Sequence, residues 1–291
     1  MVRIVILVRH AQSVAIGDSA LCSASIIIDA EHYIMKKNVQ NFLLKWIELL
    51  KSVSNDNALM SHVFPQSMPI LWFGDFEEYG KSGFKIVTVG LNPSYKEFVE
   101  RRFEETVIKD FNCKKCCAPD AYYESLNKYF ANNPYTKWFV NFEKILQILG
   151  STYGGKMNGG SQSKNCALHV DLMSPFATYP TWGNLCDGMQ KRFQEATKGL
   201  FEELIILLKP NLIILSCGKK VVSSEFSVLK KINATGALSK FVYGFNWTPK
   251  ARGCSIKVIC GRNMRGTPFG GFTIGNGEGM KKLMEKLRNV K

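Results

Sequence analysis

The pattern of apolar and polar positions predicts an alternation of helices and strands. After Met35-Lys36-Lys37, positions Phe42, Leu43, Trp46, Leu49 and Leu50 recur at helical spacing and predict an amphipathic helix. A strand is possible at 70–73, and the β-branched run Ile86-Val87-Thr88-Val89 predicts a buried strand over 85–90. Residues 95–150 read as mostly helical, ending in an amphipathic helix over 135–149, and a Gly/Ser/Asn-rich loop follows over 150–165. A second strand is expected at 168–172 and a helix at 189–208, with Met189, Phe193, Ala196, Leu200, Leu204 and Leu208 on one face. Lys209-Pro210 ends that helix. A third strand is then expected at 211–217, a fourth at 255–260 and a final helix at 280–290. Strands alternating with helices specify an α/β fold, with a central, mainly parallel, four-stranded sheet flanked by helices. Residues 35–291 read as that domain with a helical N-terminal segment, and 1–34, which lack clear periodicity, as an uncertain extension. No internal repeat is apparent.

At 291 residues, with 46% hydrophobic positions, the composition is that of a soluble globular protein. No apolar stretch approaches the roughly 18–20 residues that cross a bilayer, so no membrane partner is expected. Lys+Arg 38 against Asp+Glu 24 gives a net charge of +14 and favours polyanions, nucleic acid first. Nine scattered cysteines, several inside apolar strands (Cys166, Cys217, Cys260), point to reduced thiols and a cytoplasmic protein. Cys113 and Cys116 form a CxxC, half of a metal site, but no second CxxC or close His pair completes it. No cofactor is expected, and the sequence leaves open whether Cys113 and Cys116 bind a metal.

Candidate chemistry concentrates at the ends of strands. Gly90-Leu91-Asn92-Pro93-Ser94 closes the first strand with a sharp turn that places Asn92 at its carboxyl end, where open α/β sheets bind ligands. Asn-Pro is also ordinary turn chemistry. Leu7-Val8-Arg9-His10-Ala11-Gln12-Ser13 resembles the phosphohistidine signature of the histidine phosphatases. That chemistry needs a second catalytic histidine, and His32, His62 and His169 lack recognisable context, so a phosphatase ranks well below the reading that follows.

Three loops together resemble the uracil-DNA glycosylase superfamily over residues 70–291. Gly90-Leu91-Asn92-Pro93-Ser94 is similar to the Gly-x-Asn-Pro-Gly motif of its mismatch-specific and single-strand-selective branches. The run Ile213-Ile214-Leu215-Ser216-Cys217-Gly218 resembles a core strand of these enzymes. Gly261-Arg262-Asn263-Met264-Arg265-Gly266 stands where a second motif, Asn-Pro-Ser-Gly or His-Pro-Ser, is expected, and departs from both. The resemblance implies a three-layer α/β/α fold and a monomeric, monofunctional DNA glycosylase that flips a damaged or deaminated base and hydrolyses its N-glycosidic bond. It implies that Asn92 orients the water, that Asn263 sits near the leaving base or its phosphate, and that Gly90, Leu91, Pro93 and Ser94 line the base pocket.

Asp171 falls where the family's base-reading Asn is expected; an ionised Asp only accepts, which puts uracil in doubt and favours an edge richer in donors, or else Asp171 is structural. Tyr95 or Phe176 can stack on a flipped base. Arg265, Thr267, Pro268 and Phe269 form a tip with a cation and an apolar wedge, and Arg262, Lys219 and Lys220 are candidate phosphate contacts. The alternative is a non-catalytic nucleic-acid-binding protein that keeps the fold.

Overall fold

The computed structural model describes residues 37–112, 119–157, 163–218, 221, 225–226, 237–239, 242–250, 253–261 and 267–269. The chain divides into two compact units, Met1–Lys45 and Trp46–Lys291. In the first, residues 37–45 are helical, with Val39, Phe42 and Leu43 buried. The predicted boundary at 34/35 and the predicted helix 280–290 lie outside the described residues.

The second unit is an α/β structure. Its described helices are α1 (46–53), α2 (Asn57–Met60), α3 (Phe76–Lys81), α4 (Lys96–Val99), α5 (Glu105–Asn112), α6 (Pro119–Asn127), α7 (Thr136–Ile148), α8 (Asp187–Ala196) and α9 (Leu200–Leu208). The strands are β1 (Ile86–Gly90), β2 (Ser151–Thr152), β3 (Asn165–Asp171), β4 (Leu212–Leu215), β5 (Ala237–Ser239), β6 (Val242–Trp247) and β7 (Ile256–Gly261). They lie in the order β2-β3-β1-β4-β7-β6-β5. The four predicted strands form the parallel centre, β3-β1-β4-β7. Every residue of β1 and β4 is buried, so both faces of the sheet are covered there.

The sheet is larger than the four strands expected. Two-residue β2 adds in parallel beside β3, and β6 and β5 extend the other side antiparallel. β6 escaped the sequence reading because Gly244, Phe245 and Trp247 are only half-buried and Asn246 is exposed, so no uninterrupted apolar run marks it. The segment 70–73 is no strand; Phe73 makes an isolated antiparallel bridge to His169. The helix predicted over 189–208 is two helices. Its apolar spacing continues through the break, but Gly199 takes φ 88°, a left-handed conformation open to glycine, and starts α9 afresh. Lys209, also left-handed at φ 49°, closes α9 before Pro210.

Phe269 corrects a second expectation. It is 1% exposed and packs edge-on against Phe142, with ring centroids 5.9 Å apart, so it is a core residue and no wedge. A Cβ built on Gly261 falls 2.2 Å from its ring. Gly261→Ala is therefore expected to expel Phe269 and cost about 1–3 kcal/mol, read by urea denaturation; an unchanged midpoint contradicts this packing.

Candidate functional site

β1 lies between β3, the next long strand in sequence, and β4. The chain leaves β1 toward one side of the sheet and later returns on the other, which opens a crevice at the carboxyl ends of the strands. The strand ends are locked in register there. Gly90 stands beside Asp171, Leu172 N–H donates to Gly90 O (3.1 Å), Met173 N–H to Leu91 O (2.8 Å) and Ser216 N–H to Val89 O (2.9 Å). Three neighbouring strands thus present Asn92, Asp171 and Ser216 to a cavity of about 480 Å³. Aromatic side chains form much of the remaining wall, including Tyr95, Tyr135, Trp138 and Trp182.

Asn92 is oriented through its amide nitrogen. Nδ2 lies 3.1 Å from Pro93 O, 3.2 Å from Phe176 O and 3.2 Å from Thr178 Oγ1, so two hydrogens serve three acceptors. With the amide assigned this way, Oδ1 accepts no hydrogen bond from the described residues, and Asn92 lines the cavity. The loop that supplies two of these acceptors is fixed from behind: Ile70 N–H donates to Pro175 O (2.8 Å) and Phe64 N–H to Ala177 O (2.8 Å). An amide held by its donor end presents its acceptor as a single, positioned hydrogen-bond site.

Asp171 is buried to within 4% of its side-chain surface. Oδ1 lies 3.8 Å from His169 Nε2, while Oδ2 is buried without a hydrogen-bond partner among the described residues. Burial pushes its carboxyl above the usual carboxylate range, against the opposing pull of His169. The histidine is itself held: Nδ1 lies 2.8 Å from Thr88 Oγ1, which is 2.5 Å from Tyr153 OH, and the rings of Phe73, Phe139 and Phe142 surround the imidazole. Asp171 thus both lines the cavity and packs on this framework.

Among the cavity residues that escaped the sequence reading are Ser216 and Glu97. Ser216 has a buried Oγ with no partner among the described residues, and it is the first polar residue after the apolar run of β4. Position at the end of a buried strand is a signal that could have found it. Glu97 left no such mark, as one of several charged residues in Lys96-Glu97-Phe98-Val99-Glu100. Its side chain is 3% exposed; Tyr129 OH donates to it at 2.6 Å and Arg102 Nε lies 3.6 Å away. Burial pushes the Glu97 carboxyl up to about 8, with Asp171 and Glu100 adding to the rise and Tyr129 and Arg102 opposing it.

A carboxyl whose folded pKa is raised binds a proton in the native state that the unfolded chain has already released, so its stability contribution falls as pH rises through the window from about 4.5 to about 8. Glu97→Gln is accordingly expected to be more stable than the parent at pH 9 by about 1–3 kcal/mol, the gap closing toward pH 5 in urea denaturation. A gap independent of pH contradicts the assignment.

Of the residues anticipated at the site, Leu91, Asn92, Pro93, Ser94, Tyr95 and Asp171 line the cavity, and Gly90 adjoins it. Phe176 does not line it: its ring is 2% exposed and packs toward Phe193, and it serves through its backbone carbonyl. Thr267 is half-buried in an isolated bridge. Asn263, Arg262, Arg265, Lys219, Lys220, His10, Cys113 and Cys116 lie outside the described residues. Among the described residues no three His, Cys, Asp or Glu side chains are grouped to hold a metal ion, and no helix is long and apolar enough to cross a membrane. A second cavity of about 500 Å³ shares Asp171 with the first and is lined besides by charged groups such as Lys198 and Glu195, which pair with each other at 3.1 Å. It brings together no comparable set of unpartnered buried groups. The chain matches no protein-family model, and no curated protein sequence matches it.

Proposed function

We propose that the protein is a monofunctional DNA glycosylase: it takes a base flipped from DNA into the aromatic-walled cavity and hydrolyses its N-glycosidic bond. The observation that carries this reading is Asn92, tied down through Nδ2 with Oδ1 left as an acceptor at the cavity. Such a group holds one water by one of its hydrogens and fixes its approach to the sugar carbon, so the contribution is positioning rather than proton abstraction. The C1′–N bond breaks, its electron pair leaves with the base, the water oxygen bonds to C1′, and the proton the water loses passes to solvent or to the departing base. Aromatic faces suit a planar heterocycle, and the buried polar atoms of Asp171 and Ser216 meet its edge. The net charge of +14 supports a polyanionic substrate.

The test is release of base from labelled oligonucleotides carrying uracil, hypoxanthine or N-alkylated purines, by the parent protein and by the Asn92→Ala and Asn263→Ala variants. Excision that disappears in Asn92→Ala supports the enzyme. Tight, salt-sensitive DNA binding with no excision across the panel supports instead a binding protein that keeps the fold.

A further inference from the structure

We propose that the base this cavity selects is a cation, an N-alkylated nucleobase with a positive charge on its ring, held between aromatic faces and the buried carboxyl groups of Asp171 and Glu97. The inference rests on the glycosylase reading and names the substrate class of the same site.

Four observations converge on it. Among the described residues, Asp171 Oδ2 is buried without a partner in a side chain 4% exposed, and Ser216 Oγ is equally unpartnered. Glu97, 3% exposed, supplies a second carboxyl to the same cavity. Among the described residues, cations leave this pair poorly compensated. Arg102 reaches Glu97 only through Nε at 3.6 Å, while its other nitrogens bond Asn133 O (2.9 Å) and the Glu100 carboxylate. Lys96, at the cavity lining, directs Nζ to Tyr135 OH (3.4 Å). The same cavity is lined by Tyr95, Trp138 and Trp182, aromatic rings of the kind that attract a flat cation, and by Tyr135, whose ring already lies 4.9 Å from the Arg102 guanidinium. Burial penalises both carboxylates, a cost that an incoming positive charge offsets and that a neutral base leaving as an anion aggravates.

The chemistry agrees with the weakness of Asn92 as a base. When the C1′–N bond of an alkylated, cationic base breaks, its electron pair neutralises the ring and the base departs uncharged. Water adds to C1′ and releases one proton to solvent, so cationic DNA and water become abasic DNA, neutral base and a proton. No general acid is needed at the leaving group, and a positioned water suffices.

The deciding experiment compares release of 7-methylguanine and of uracil from otherwise identical oligonucleotides by the full-length protein. In parallel, quenching of tryptophan fluorescence reads binding of 1-methylnicotinamide, a permanent planar cation, against neutral nicotinamide. The expected results are release of 7-methylguanine at least about tenfold faster than uracil, and about tenfold tighter binding of the cation. Asp171→Asn is expected to abolish both preferences, with Glu97→Gln in its place if that variant does not fold by circular dichroism. Faster release of uracil, or equal binding of the two nicotinamides, overturns the cation assignment and leaves the glycosylase reading standing. Release of no base at all overturns the glycosylase reading, and the nicotinamide pair then decides the cation assignment alone.

Discussion

On the proposed glycosylase reading, Asn92→Ala is expected to lower excision by about 10²–10³-fold while leaving the protein folded, as loss of one preorganised polar group at a reacting centre commonly does. The side chain is half-buried and its three acceptors belong to residues held independently by the main chain, so truncation removes the water's anchor without unpicking the loop. The informative companion is Asn92→Asp. A carboxylate is a better electrostatic partner for a positively charged sugar, and from chemistry alone it promises a faster enzyme. The geometry argues the opposite. An ionised Asp has no hydrogen to give to Pro93 O and Phe176 O, which lie 3.1 and 3.2 Å from the present Nδ2, so like charges would face each other. Asn92→Asp is therefore expected to be at least as inactive as Asn92→Ala and less stable than it, measured by single-turnover excision and urea denaturation. A gain in rate contradicts the placement of the amide.

Gly90→Ala is expected to cost about 2–4 kcal/mol, although it adds one carbon. The new Cβ falls 2.7 Å from Asp171 Oδ1 and 3.1 Å from His169 Nε2. Neither neighbour can withdraw easily. Asp171 is locked beside Gly90 by strand register, and His169 is pinned by Thr88 and enclosed by three phenylalanine rings. A double-mutant cycle separates crowding from any intrinsic strand effect. In an Asp171→Ala background the penalty of Gly90→Ala is expected to shrink by at least about 1 kcal/mol, since the 2.7 Å contact is gone. An unchanged penalty would place the strain elsewhere.

These two predictions join the most legible stretch of the chain to the least legible. β1 and β4 could be read because strands buried on both faces must be apolar throughout, and their ends are marked by the first small or polar residues, Gly90 and Ser216. Strand β6 could not, since a half-exposed strand leaves a mixed pattern. The break at Gly199 was hidden by an apolar period that runs unbroken across it. Phe269 read as a wedge because a loop's composition says nothing of where its ring packs, and the ring fills the space left by Gly261.

By itself the sequence determined the four parallel strands of the sheet centre, their alternation with helices and the turn that carries Asn92, because each is written in local composition and spacing. Only the tertiary structure decided which groups meet there. Strand register set Asp171 beside Gly90 and put Ser216 at the neighbouring strand end. Burial raised the Glu97 carboxyl to about 8 and held that of Asp171 above its ordinary range. It also turned Phe176 away from the cavity and left its carbonyl to aim Asn92. Register, burial and the direction of a side chain are set by residues tens to hundreds of positions apart, and no local pattern carries them.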